Sequence, residues 1–106
     1  MYIHAAMIKH IVFWRLKPAA AGNDKATNAR LLKQKLEALQ GKIPGLLKLE
    51  VGIDFVGGEH SSDVGLYSEF TNREALDAYQ VHPLHLEVAA FVTEVRAERR
   101  AVDYEA

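Results

Sequence analysis

Residues 8–17 alternate in a way that demands two covering layers. Ile8, His10, Val12, Trp14 and Leu16 share one side of an extended chain; Lys9, Ile11, Phe13, Arg15 and Lys17 share the other. Large apolar side chains stand on both sides. Such a strand is stable only where each face is at least partly removed from water. Helices can supply one cover, and the second must come from elsewhere.

The remaining segments supply the helices. Pro18 ends the strand and 19–23 reads as a loop. Asn23 or Asp24 can cap a helix that runs to about Gln40, with Ala29, Leu32, Leu36, Leu39 and Ile43 as its apolar stripe. Gly41 is a plausible stop, and Ile43-Pro44-Gly45-Leu46 is a turn. Over 47–55, Leu47, Leu49, Val51, Ile53 and Phe55 alternate with polar residues and glycine, which predicts a half-buried strand. Residues 56–62 have loop composition. Gly57-Gly58 is weak evidence for phosphate binding, because no strand–loop–helix unit surrounds it, and His60 is expected in solvent.

A third strand over 63–70 puts Val64, Leu66, Ser68 and Phe70 on one face. Thr71 and Glu74 have the spacing of a capping box, so a helix starts there and carries Leu76 and Tyr79 inward. It should end near His82, because the residue before a proline avoids helical backbone. Pro83 opens a further helix with Leu84, Val88, Phe91 and Val95 as its stripe. A last strand over 98–104 places Val102 and Tyr104 on one face. The order is β-α-β-β-α-β with the second helix split at Pro83. That predicts an α+β, ferredoxin-like fold: a four-stranded antiparallel sheet with helices on one face. A homodimer with sheets packed together would cover the other face of the first strand.

Composition narrows the functions. The chain has 106 residues, 13 basic and 14 acidic, for a net charge of −1. One domain over 7–106 fits that length, with 1–6 as an extension and Met7 as an alternative start. The balanced charge gives no footprint for nucleic acid or anionic membrane. There is no cysteine, which excludes thiolate chemistry and Cys-based zinc sites and suits a cytoplasmic location. No apolar run approaches the ~20 residues of a membrane span.

Chemistry is expected in Tyr79-Gln80-Val81-His82-Pro83-Leu84-His85. Two imidazoles and a phenol lie within one short stretch broken by a proline. Imidazole titrates at about 6.5, nearest neutrality of all side chains. A helix broken before Pro83 can aim side chains where a continuous helix could not. The same residues also allow a purely architectural reading, with His82 as a cap and His85 packed or solvated.

Ile8-Lys9-His10, Ile43-Pro44-Gly45, Asp63-Val64 through Glu69-Phe70, and Tyr79-x-x-His82-Pro83-x-His85 occur in an order that resembles the stress-responsive dimeric α/β-barrel (Dabb) proteins. The resemblance covers about 7–104 and implies a ferredoxin-like fold whose two copies pack sheet to sheet. Most members have no assigned activity. A plant member closes and aromatises a linear polyketide without a cofactor, using a His and a Tyr. Carried over, that pair falls on His85 and Tyr79, with His10 and His82 beside them. Val12, Trp14, Leu36 and Val64 would complete a substrate-binding lining. Leu36 and Val64 stand where the cyclase pocket has a Tyr and a His, which argues against a long polyphenol-like substrate.

Three functions follow. One is a small-molecule binding protein with a small apolar pocket and no turnover. The second is a cofactor-independent cyclase, isomerase or lyase. There a neutral His85 is the base, Tyr79 the donor to an enolate oxygen, and His10 an orienting group. The N-terminus of the last helix would help to keep His85 neutral. The third is a metal site at His82 and His85 with Glu69; two histidines alone support it weakly, so neither metal nor cofactor is expected.

Overall fold

The computed structural model describes residues 6–106. In chain order its elements are β1 (Ile8–Leu16), β2 (Ala19–Ala20), β3 (Asn23–Asp24), α1 (Lys25–Glu37), β4 (Leu46–Ile53), β5 (Val64–Phe70), α2 (Arg73–Gln80), α3 (Pro83–Val95) and β6 (Arg96–Glu105). The four long strands form one antiparallel sheet in the order β4-β5-β1-β6. This is the ferredoxin-like arrangement that the sequence predicts. The extension expected over 1–6 lies, apart from Ala6, outside the described residues. At the other end, the Ala106 backbone N–H donates to the Met7 carbonyl at 2.9 Å.

The period-two reading of β1 sets the layers. Ile8, His10, Val12, Trp14 and Leu16 are all buried. They meet Leu32 and Leu36 of α1, Tyr79 of α2 and Val88, Val92 and Val95 of α3 in one core. The opposite face is open in the single chain. Phe13, Val102 and Tyr104 are 44%, 50% and 43% exposed, and they lie on the same side as Ile11 and Tyr67. An apolar face of this size is what a second copy would cover.

Capping and turn chemistry fix the helices in place. Asp24 accepts from the Thr27 N–H at 2.8 Å and starts α1. At the far end of α1, Glu37 accepts from both Lys33 Nζ, at 2.9 Å, and the Val51 N–H, at 3.2 Å, while Lys33 also donates to the Val51 carbonyl. Gly45 adopts φ 82°, and a Cβ there would come within 2.5 Å of the Ala75 Cβ. Only glycine combines that backbone with that approach.

Several local expectations are corrected. The 19–23 loop is a small hairpin whose turn holds Ala21 and Gly22 at positive φ. The helix expected to reach Gln40 ends at Glu37 and continues as tight turns, with Leu39 N–H bonded to Leu36 O and Gln40 N–H to Glu37 O. β4 begins one residue early. Leu46 pairs with Phe70 and Lys48 with Glu69, so Leu47 is a bulged residue and is exposed, while Leu46 takes its place in the core. Ile53 is exposed, and Phe55 belongs to the loop after the strand.

The cap of α2 also moves. Asn72, not Thr71, accepts from the Ala75 N–H at 2.8 Å. The Thr71 N–H is already bonded to the Gly45 carbonyl at 3.0 Å, so Glu74 has no free donor to satisfy there. In α3, Val92 joins Val88 and Val95 inside, while Leu84 sits at the rim.

Candidate active site

The break at Pro83 builds the site. Tyr79 lies in the last turn of α2 and His85 in the first turn of α3. Six residues apart on one continuous helix, they would point about 120° apart and stand about 9 Å apart along the axis. Instead α2 stops at Gln80, and His82 takes extended backbone and accepts from the Leu84 N–H through Nδ1 at 3.1 Å. His82 therefore caps the helix that follows it, not the one before. Its partly exposed ring is occupied with that cap. The redirected chain brings the His85 ring to 4.2 Å from the Tyr79 ring, centroid to centroid.

His10 approaches from the sheet. Its ring centroid is 6.3 Å from Tyr79 and 6.3 Å from Phe70, and Phe70 is 5.0 Å from Tyr79. The β1–β6 register sets His10 opposite Asp103, and His10 Nδ1–H donates to the Asp103 carboxylate. The Ser68 hydroxyl donates to the His10 carbonyl at 2.9 Å, which satisfies the one polar side chain of β5 that faces inward. Asp103 and Phe70 escaped the sequence reading of the site. The available signal for Asp103 was its alternation with Val102 and Tyr104, which turns a carboxylate toward the helices.

Two polar atoms in this cluster lack partners. The Tyr79 hydroxyl and His85 Nδ1 are buried without a hydrogen bond, although Tyr79 as a whole is 0% exposed. A buried polar group without a partner costs about 1–3 kcal/mol. Burial also sets their protonation. It lowers the His85 pKa below its ordinary 6.5; an approach of the ring to the Gln80 backbone, too poorly aligned to count as a full hydrogen bond, opposes this, and the charges of His10, Arg99 and His82 reinforce it. Burial alone raises the Tyr79 phenol. The pair is thus a neutral base beside a protonated donor.

The other expected lining residues lie deeper. Val12, Trp14, Leu36 and Val64 are buried members of the continuous core. The Trp14 Nε1–H is also buried without a partner. Glu69 faces the opposite side of the sheet and accepts from the Tyr67 hydroxyl, so it does not join His82 and His85. Among the described residues no three His, Asp or Glu side chains gather as a metal would need. Gly57-Gly58 is no anion cradle: the Gly57 N–H goes to Asp54 Oδ2 at 2.7 Å and the Gly58 N–H to Ser61 Oγ at 3.1 Å. His60 is exposed, as expected.

The family model of the stress-responsive A/B barrel domain, Dabb, matches residues 8–106. This chain belongs to the Dabb family. A dimeric protein of unknown function and ferredoxin-like fold, from Bacteroides fragilis NCTC 9343, is 34% identical. The match covers 99% of this chain and 100% of that one, with a TM-score of 0.84. A dimeric ferredoxin-like protein of unknown function from Thermobifida fusca YX is 23% identical, with 100% and 96% of the chains covered and a TM-score of 0.82. The hydroxynitrile lyase of Passiflora edulis shares the fold at 17% identity, with 97% and 95% covered and a TM-score of 0.80. No curated protein matches the chain. Dabb membership accounts for the fold; it assigns no specific activity. None of the described helices is long and apolar enough to cross a membrane.

Proposed function

We propose that this chain is a homodimeric, cytoplasmic Dabb protein that moves a proton on a small carbonyl compound without a cofactor. One observation carries the reading: the Tyr79 hydroxyl and His85 Nδ1, on rings 4.2 Å apart, are buried and unpartnered. His85 takes a proton from the carbon beside the carbonyl. The C–H electron pair becomes the C=C bond of an enolate, and the carbonyl π electrons move to oxygen. Tyr79, kept protonated by burial, donates a hydrogen bond to that oxygen. The imidazolium then returns the proton to carbon. His10, held by Asp103, orients the ligand. The substrate is small because Val12, Trp14, Leu36 and Val64 fill the neighbouring core.

The exposed Phe13, Val102 and Tyr104 and the dimeric relatives support dimerisation through the open sheet face. A binding protein without turnover is the second reading, in which Tyr79 serves as a core aromatic. Deuterium uptake into methyl levulinate, followed by NMR, separates the two. The protein should accelerate exchange beside the ketone, and His85→Ala should remove about 10²–10⁴-fold of that acceleration. Equal rates for both proteins would leave binding alone.

A further inference from the structure

We infer that the site is entered between α2 and the end of β6, and that the charge of this entrance selects an uncharged or cationic carbonyl compound over a carboxylated one. This rests on the proton-transfer reading above and names its substrate class. A cleft of about 380 Å³ lies there, with Ile8 and Leu76 as apolar walls and Arg73, Asp77, Asp103 and Glu105 as its charged groups. Asp103 is the residue to which His10 donates, and the His10 ring is 6.3 Å from Tyr79. One side chain therefore belongs both to the cleft and to the cluster.

The sheet explains why this side is open. On β6, Arg99, Ala101, Asp103 and Glu105 stand opposite Trp14, Val12, His10 and Ile8, on the face that the helices cover elsewhere. Their β1 partners are buried, yet all four β6 residues are exposed. Among the described residues no helix covers this strip. The strip runs alongside the cluster, and Asp103 is 46% exposed within it.

Charge then decides what can pass. Three carboxylates face one guanidinium, and Arg73 Nε already donates to Glu105 Oε1 at 2.7 Å. Asp77 and Asp103 remain without a cation of their own in the cleft. The net charge of the lining is therefore negative, and a cleft with such an excess repels ligands of the same sign. Arg99, further along the same strip, is outside the cleft lining, although its charge reaches His85; Lys35 and Lys42 flank a separate groove between α1 and α3, and Arg15 and Lys25 sit at the Gly57-Gly58 loop.

The test compares deuterium exchange into methyl levulinate and into levulinate, which differ in one negative charge. The wild type should favour the ester by about tenfold. Asp77→Lys should reduce that preference by about tenfold, and raised ionic strength should narrow it in the wild type. A wild type with no preference would overturn the inference and leave the proton-transfer reading standing. A preference that neither Asp77→Lys nor salt changes would do the same. A wild type that exchanges neither ketone would refute the proton-transfer reading, and the inference with it.

Discussion

The Tyr79 and His85 rings lie 4.2 Å apart, and each carries a buried polar atom without a well-formed hydrogen bond. A Phe in place of Tyr79 would fill the same space without an unsatisfied hydroxyl.

That contrast gives effects of opposite sign. Tyr79→Phe should leave the melting temperature unchanged or higher, because it removes a group that costs about 1–3 kcal/mol when buried unpaired. The same variant should slow ketone exchange at least ~10-fold, by loss of the donor to the enolate oxygen. Calorimetry and exchange rates on one preparation decide this. A clear fall in melting temperature would mean that the hydroxyl serves structure.

The pH dependence follows from His85. Its folded pKa is lowered by burial, so the unfolded chain binds the proton first as pH falls. The stability contribution is therefore complete above the unfolded value of about 6.5 and is lost as pH drops through it toward the folded value. Melting curves taken between about pH 8 and pH 5 should fall more steeply for the wild type than for His85→Asn. Parallel curves would contradict the assignment. Exchange activity should persist below pH ~6.5, where an ordinary imidazole is already protonated.

The α2 cap can be separated from the motif that its sequence suggests. Asn72→Ala should cost about 1 kcal/mol in chemical denaturation. Glu74→Ala should stay within about 0.5 kcal/mol, since the Thr71 N–H is bonded to Gly45 instead. Equal losses would restore the capping box.

Phe13→Asp tests the assembly. Phe13 is exposed on the open sheet face, so the fold of one chain should tolerate the change. The dimer should not, because a charge would replace a side chain worth about 1.5–3 kcal/mol when buried. Sedimentation should show a dimeric wild type and a monomeric variant at micromolar concentration. A dimeric variant would move the interface off this face.

Much of this was legible because β1, β5 and α1 obey their periods without conflict. The alternation through Trp14 and the stripe through Leu36 each admit one register. Leu46-Leu47 admits two, and only pairing with Phe70 and Glu69 reveals the bulge. Thr71 and Asn72 can both cap, and a bond from the distant Gly45 decides between them. At the site, Tyr79 and His85 could be brought together from Pro83 alone. Asp103 could not, because its partnership with His10 depends on the β1–β6 register, and no local pattern encodes a pairing between opposite ends of the chain.

The grip of α1 on Val51 reaches beyond local stability. Glu37 and Lys33 occupy both the N–H and the carbonyl of Val51, midway along the outer rim of β4. A foreign strand trying to zip onto that rim meets backbone groups that are already taken. The opposite rim, β6, carries no such plug among the described residues. Head-to-tail stacking of sheets into a fibre needs two receptive rims, and this chain offers one. Pairing through the β4 rim is therefore hindered at Val51.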